Sequence, residues 1–248
     1  MSIYGEGLYR DGEGAIRTAP DRLMKTLAIG DWEVRDEVGR KLIPVPTPEN
    51  KAPALASVYA LSKYVQEGMC LTVGRAYGMN AVALRFFNTY GPFQALSNPY
   101  TGVLSNFASR VLNGNPPLIF EDGLQKRDFV SVYDVARACR LAIEKPQAAG
   151  LALNISSGKA MTVKEVAERA VTALGAGHLE PKITGRYRAG DIRHCFADIS
   201  LARVTLGWEP QVSLEEGLQD LASWLEGQTA VDRVLQARAE LATRGLMV

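Results

Sequence analysis

The run NAVALRFF, residues 80–87, constrains this chain more than any other stretch. It carries one charge, Arg85, and is too short for a buried helix, so it reads as a strand covered on both faces. Before it lies a helical stretch, 54–77, with glycine only at Gly68 and Gly74. After it comes a loop rich in Pro, Asn and Gly, 88–102, and then a predicted helix, 103–112. The same alternation recurs downstream. Short strands at PLIF and DFVSV precede a helix over 132–144, and the strand LALNIS, 151–156, meets a Ser157-Gly158 turn before the next helix. There Thr162 and Glu165 form a capping-box pair, repeated at Ser213 and Glu216 near the end. Two-face-buried strands alternating with helices specify an α/β fold with a largely parallel sheet.

Two stretches stand outside that alternation. SIYG, residues 2–5, reads as the tail of a strand. Residues 6–53 are polar and punctuated by Pro and Gly, ending in GDWEVRDEVGRKLIPVPTPENKAP, and read as an irregular segment of functional or mobile character. The tail TAVDRVLQARAELATRG reads as an extra amphipathic helix.

Composition narrows the function classes. Lys+Arg is 28 against Asp+Glu 27, a net charge of +1, which argues against a nucleic-acid partner held by bulk positive charge. No apolar run reaches the roughly 18–20 residues of a membrane span, and the opening residues lack a signal-peptide layout, so no membrane partner is expected. The three cysteines, Cys70, Cys139 and Cys195, form no CxxC and suit a reducing, cytoplasmic setting. With only two histidines, His178 and His194, no metal is expected.

Three groups of residues could carry chemistry. Tyr59 and Lys63 stand four apart on a predicted helix and share a face, where a cation favours the phenolate and suits the tyrosine to general acid/base work. Chance alone places such a pair in roughly one of three chains of this composition, so the pattern also fits a surface pair. In LRFFNTYGP, Asn88 ends a buried strand, the edge at which open α/β sheets bind ligands, though an asparagine there also caps turns. Arg127 in QKRDFV and Arg188 in RYRAGDIRH could clamp a diphosphate if the fold brings them together; taken singly they fit ion pairs with Asp128 and Asp191. Phe120 could stack on a flat ring or belong to the core. No GxGxxG follows a strand, and there is no P-loop, GxSxG or HExxH.

In order and spacing, SIYGEG, SVYALSK, LRFFNTYGP, NPYTGV, FEDGLQKRDFVSVYDVARA, NISSG, RAGDIRHCFADIS and GWEPQVSLEEGL resemble the extended short-chain dehydrogenase/reductase family, in its nucleotide-sugar epimerases and dehydratases. The strings of 31–49, ALSNPYTGV and GDIRHCFADIS are most similar to the dTDP-L-rhamnose 4-epimerase subgroup, with UDP-glucose 4-epimerases next. The resemblance implies the C-terminal part of a Rossmann-type parallel sheet plus a smaller α/β substrate-binding domain. It divides the chain into 1–92, with 6–53 inserted and the YxxxK helix, then 93–228, mainly substrate-binding, and a helical tail, 229–248. It implies NAD as cofactor, a nucleotide-diphosphate sugar as substrate and a homodimer. Tyr59 would be the catalytic acid/base, with Lys63 its partner on the nicotinamide ribose and Phe86 touching the cofactor. Asn88 would hold the sugar nucleotide, Val103 and Phe120 would line the base pocket, and Arg127 and Arg188 would bind the diphosphate. The implied reaction passes through a transient 4-keto sugar.

The chain departs from that pattern at its start. The family opens with a Gly-rich βαβ unit, absent here, and carries a catalytic Ser or Thr four residues before the tyrosine of the Tyr-Gly motif. Only three residues precede Tyr4, so Ser2 is not that residue, and an N-terminally truncated member is expected. Dehydratases of the family carry Asp-Glu just before that motif; Met1 and Ser2 stand there, which disfavours dehydration. A non-catalytic sugar-nucleotide-binding or dimerising chain is the alternative from another class.

Overall fold

The computed structural model describes residues 1–20, 22–98, 102–188 and 190–243, apart from the side chain of Arg238. After a 3₁₀ turn, Ser2–Tyr4, come β1 (Leu8–Arg10), β2 (Ile16–Thr18), α1 (Met24–Leu27) and β3 (Ile43–Val45). The middle of the chain holds α2 (Val58–Tyr77), β4 (Ala83–Phe86), β5 (Asn88–Tyr90), α3 (Val103–Leu112), β6 (Leu118–Ile119), β7 (Lys126–Arg127), β8 (Phe129–Ser131) and α4 (Val132–Glu144). It closes with β9 (Ala152–Ile155), β10 (Met161–Thr162), α5 (Val163–Ala173), β11 (Lys182–Ile183), α6 (Ser200–Leu206), α7 (Leu214–Leu225) and α8 (Val234–Thr243).

The apolar run at 80–87 becomes a strand and then changes partner. β4 pairs in parallel with β9, Leu84 opposite Leu153 and Phe86 opposite Ile155. One residue later β5 pairs in parallel with β8, Asn88 opposite Phe129. The switch falls between Phe87, whose N–H goes to the Ile155 carbonyl, and Asn88, whose N–H goes to that of Asp128. β6 and β11 form a third parallel pair. The α/β class with parallel pairing therefore holds across the body of the chain.

Two expectations change. SIYG is a 3₁₀ turn and not a strand tail, because Tyr4 N–H closes on the Met1 carbonyl and its ring turns into the core, where the phenol donates to Asn154 Oδ1 at 2.6 Å. Residues 6–53 are not irregular throughout: β1 lies between β2 and β3 in an antiparallel sheet over a small core of Tyr9, Val34 and Leu42.

Two larger cores hold the rest. One gathers Tyr4, Phe87, Val130, Leu153, Ile155 and Trp208 around the β4–β9 pair. Trp208 is fully buried and donates its indole N–H to the Asp134 carbonyl at 3.0 Å, satisfying its polar end as such burial requires. The other core packs α3, α5 and α7 through Phe107, Val166, Ala167, Leu218 and Leu221. Gly217 lets α7 close on Tyr90, since a Cβ there would stand 2.9 Å from two ring atoms. Both predicted capping boxes form, at Thr162 with Glu165 and at Ser213 with Glu216. No helix among the described residues is long and apolar enough to cross a membrane.

Candidate active site

α2 starts where Ser57 accepts the Ala60 N–H and stops at Gly78, whose φ of 65° is the left-handed cap that glycine adopts without strain. Tyr59 and Lys63 stand one turn apart near its start. The Lys63 ammonium lies 5.6 Å from the Tyr59 ring centroid and 3.3 Å from Gln66 Oε1. Tyr59 is 62% exposed, so its phenol is open to a ligand. One turn on, Glu67 grips Arg85 of β4 with both oxygens, at 2.6 and 2.8 Å. Arg85 also donates to the Tyr4 phenol and the Glu49 carbonyl. This bidentate pair fixes the Tyr59–Lys63 face relative to the end of β4, where Phe86 is half-exposed. Burial pushes the Tyr4 phenol well above its usual range despite Arg85, so Tyr4 donates and does not act as a base.

Asn88 uses its side-chain N–H on the Asp128 carbonyl, at 2.8 Å, with Met1 Sδ at 3.5 Å. It thus crosslinks β5 to β8 and does not cap its own turn. Val103 is the first residue of α3, whose N-cap, Gly102, offers no side-chain cap. Of the string NPYTGV, residues 99–101 lie outside the described residues. Phe120 follows β6, and the Arg188 guanidinium lies 5.2 Å from its ring centroid.

Arg127 is buried, and its guanidinium donates to the carbonyls of Lys126, Arg193 and Ile192. Its neighbour Asp128 is wholly buried and is occupied elsewhere, accepting from Ser157, Gly158 and Ala197. Arg188 pairs with Asp191 at 3.1 Å. Burial opposes the ionisation of Asp191, but the positive charges of Arg188, Arg127 and Arg22 outweigh it and hold its carboxyl below the usual range. Two arginines remote in sequence thus act on one anion, which here is a carboxylate of the chain itself.

The sequence reading missed a buried charge network beside this anion. Arg193 is fully buried and bonds Glu33 at 2.7 Å, Glu121 at 2.9 Å and Asp122 at 2.7 Å. Arg22 reaches Glu121 at 2.8 Å and the Asp191 carbonyl at 2.6 Å. Glu6 accepts the backbone N–H of both Arg193 and His194. Burial works against Glu33, yet hydrogen bonds from His194 and Arg193 keep its carboxyl far below the ordinary range. Glu6, Arg22 and Glu33 belong to the 6–53 segment, so that segment is docked by buried ion pairs onto the strings that carry Arg188. The available signal was the three-charge density of RAGDIRH; nothing in sequence separates half-buried Glu33 from solvated Glu37.

The open, shared face of Tyr59 and Lys63 could accept one end of a dinucleotide, such as a ribose. A pyrophosphate needs free helix N-terminal amides, and α2, α4, α5 and α7 close theirs with Ser or Thr caps. Tyr59, Lys63 and Phe86 therefore fit one end of NAD, and none of these four capped helix ends offers its pyrophosphate a free turn of amides.

The NAD dependent epimerase/dehydratase family matches residues 38–156. A dTDP-L-rhamnose 4-epimerase of Burkholderia thailandensis is 33% identical over 224 residues, 90% of this chain and 60% of that protein. The crystal structure of a Thermotoga maritima UDP-glucose 4-epimerase with UDP-glucose is 37% identical with a TM-score of 0.66, covering 73% of this chain and 57% of that one. A UDP-N-acetylglucosamine 4-epimerase from Methanobrevibacter ruminantium, in complex with UDP-N-acetylmuramic acid, gives 33% identity and a TM-score of 0.69, over 75% and 58%. The chain spans less than two-thirds of the length of these relatives, and its parallel strand pairs correspond to part of their Rossmann-type sheet. On these matches the chain carries an NAD dependent epimerase/dehydratase family domain over residues 38–156, within a wider similarity to nucleotide-sugar 4-epimerases.

Proposed function

We propose that this chain serves an NAD-dependent nucleotide-sugar 4-epimerase of the dTDP-L-rhamnose or UDP-glucose type. The observation that carries this reading is the exposed Tyr59–Lys63 face, locked to the end of β4 by the Glu67–Arg85 pair. Tyr59 removes the proton of the sugar C4 hydroxyl and later returns it, with Lys63 as its cationic neighbour and ribose contact. Lys63 and Phe86 would hold the nicotinamide end of NAD, which would supply reversible hydride acceptance at the sugar C4. Phe86 lies along the cofactor, and Asn88 holds the sugar nucleotide at the strand switch. Val103 and Phe120 flank the base. Arg188 and Arg127 neutralise the diphosphate, with the Asp191 carboxylate holding Arg188 in place. A second copy joins through the outward side of α2, where Val58, Leu61, Val65 and Met69 are exposed.

A second reading, binding of sugar nucleotides without turnover, is favoured by the side-chain caps on four helix N-termini. One experiment separates the two. The protein is incubated with dTDP-L-rhamnose or UDP-glucose and NAD at about millimolar concentration, enough to load a site of weak affinity, and C4 inversion is followed by NMR. The first reading expects inversion that Tyr59→Phe abolishes with nucleotide-sugar affinity near normal, because the phenol acts in the transition state. Affinity without inversion in the unaltered protein would establish the second.

A further inference from the structure

The segment 187–194 is gripped by the 6–53 segment at three points. The Trp32 ring packs on Tyr187 with centroids 5.7 Å apart. Glu33 and Glu6 hold Arg193 and His194 as described above. Between these, the Arg22 guanidinium, its side chain only 6% exposed, joins three partners. It donates to the Trp32 carbonyl at 3.2 Å and the Asp191 carbonyl at 2.6 Å, and pairs with Glu121 at 2.8 Å. Arg188, by contrast, is 43% exposed and is restrained by the Asp191 carboxylate and the face of Phe120.

We propose that Arg22 is a positioning residue for the anion site: by fixing the Asp191 carbonyl it sets the Asp191 carboxylate, and through it the place of Arg188. This rests on the reading that Arg188 meets a substrate diphosphate. It gives the 6–53 segment a role in phosphate affinity, although that segment contributes no atom to the diphosphate. A planar fork is needed, since one group must satisfy two carbonyls on separate segments and a carboxylate together. A lysine keeps the charge but offers a single nitrogen, so charge alone is separable from fork geometry. Arg22 Nε makes no hydrogen bond and lies 3.6 Å from Glu6 Oε1, so the two terminal nitrogens make all the hydrogen bonds of the bridge to the 187–194 segment and Glu121.

The test uses the full chain and calorimetric titration with dTDP, UDP and inorganic pyrophosphate. Arg22→Met and Arg22→Lys are each expected to weaken nucleoside-diphosphate binding by about ten-fold, as Arg188→Met does. The double variant Arg22→Met/Arg188→Met is expected to be no weaker than Arg188→Met alone, because both changes remove one interaction. Asp232→Asn, which loosens the Arg110–Asp232 pair far along the chain, serves as the stability control and is expected to lower Tm without changing affinity. If Arg22→Met does not fold, Arg22→Lys carries the comparison. Additive losses in the double variant, or full rescue by lysine, would overturn the proposal. If the unaltered chain binds no nucleoside diphosphate, the functional reading fails first. Positioning is then judged by hydrogen exchange: faster exchange confined to 187–192 in Arg22→Lys supports it, and unchanged exchange there overturns it.

Discussion

His194 shows how one side chain ties stability to pH. Its Nδ1 accepts the Lys126 N–H at 3.0 Å, which leaves the proton on Nε2, 3.4 Å from Glu33 Oε2. A second proton would have to sit on Nδ1, against a backbone donor. Burial lowers its pKa, Glu33 raises it and Arg193 lowers it further, with a net shift below the ordinary value. The unfolded chain therefore takes up a proton near pH ~6.5 that the folded chain refuses. This part of the stability is complete above that pH and is lost as pH falls below it. We expect Tm at pH 5.5 to lie below Tm at pH 7.5, and His194→Gln, which can reproduce both hydrogen bonds, to shrink the difference; an equal difference in both proteins would remove His194 as its source. At this scale the sequence was uneven in what it disclosed. Tyr59 and Lys63 could be read because helical spacing alone puts them on one face. The three carbonyls that Arg127 meets could not, because backbone acceptors have no residue code.

At the scale of elements, signals written within a few residues survived and those needing a distant partner did not. Both capping boxes were legible because cap and return contact lie three residues apart. The strands of 6–53 were hidden because each is three residues long, and β2 is exposed at every position, leaving no alternation to detect. The helix at α2 was legible, but not its surroundings. Of its twenty residues only Ala60 and Gly74 are buried, while Val58, Leu61, Val65 and Met69 face outward. A helix apolar on its solvent side is stable where something covers it. The proposed cover is a second copy: light scattering at micromolar concentration should then give a dimer, and Val65→Glu with Met69→Glu a monomer. A monomer in the unaltered protein would refute pairing through α2.

Across the whole molecule, the two sides of the proposed site are unequally furnished. The proposed anion site has two arginines, a screening carboxylate and a charge network behind it, whereas the proposed cofactor end has a tyrosine, a lysine and half-exposed Phe86. Equilibrium dialysis of the 248-residue chain should accordingly show no micromolar affinity for NAD; tight binding would mean that the capped helix ends are not the limit. The position of Glu6 has another consequence. Its carboxylate bonds the amides of Arg193 and His194, across 187 and 188 residues. A ribosome extends a chain at about 5–20 residues per second, so Glu6 emerges on the order of 10–40 s before the groups it must meet. Through that interval the 6–53 segment has its small apolar core and its own ion pairs, such as Arg17–Asp11 and Arg35–Asp31, but Glu6 lacks the two amides it later accepts from. Synthesis order thus makes a segment that leaves the tunnel well before its partners among the last to be locked in place.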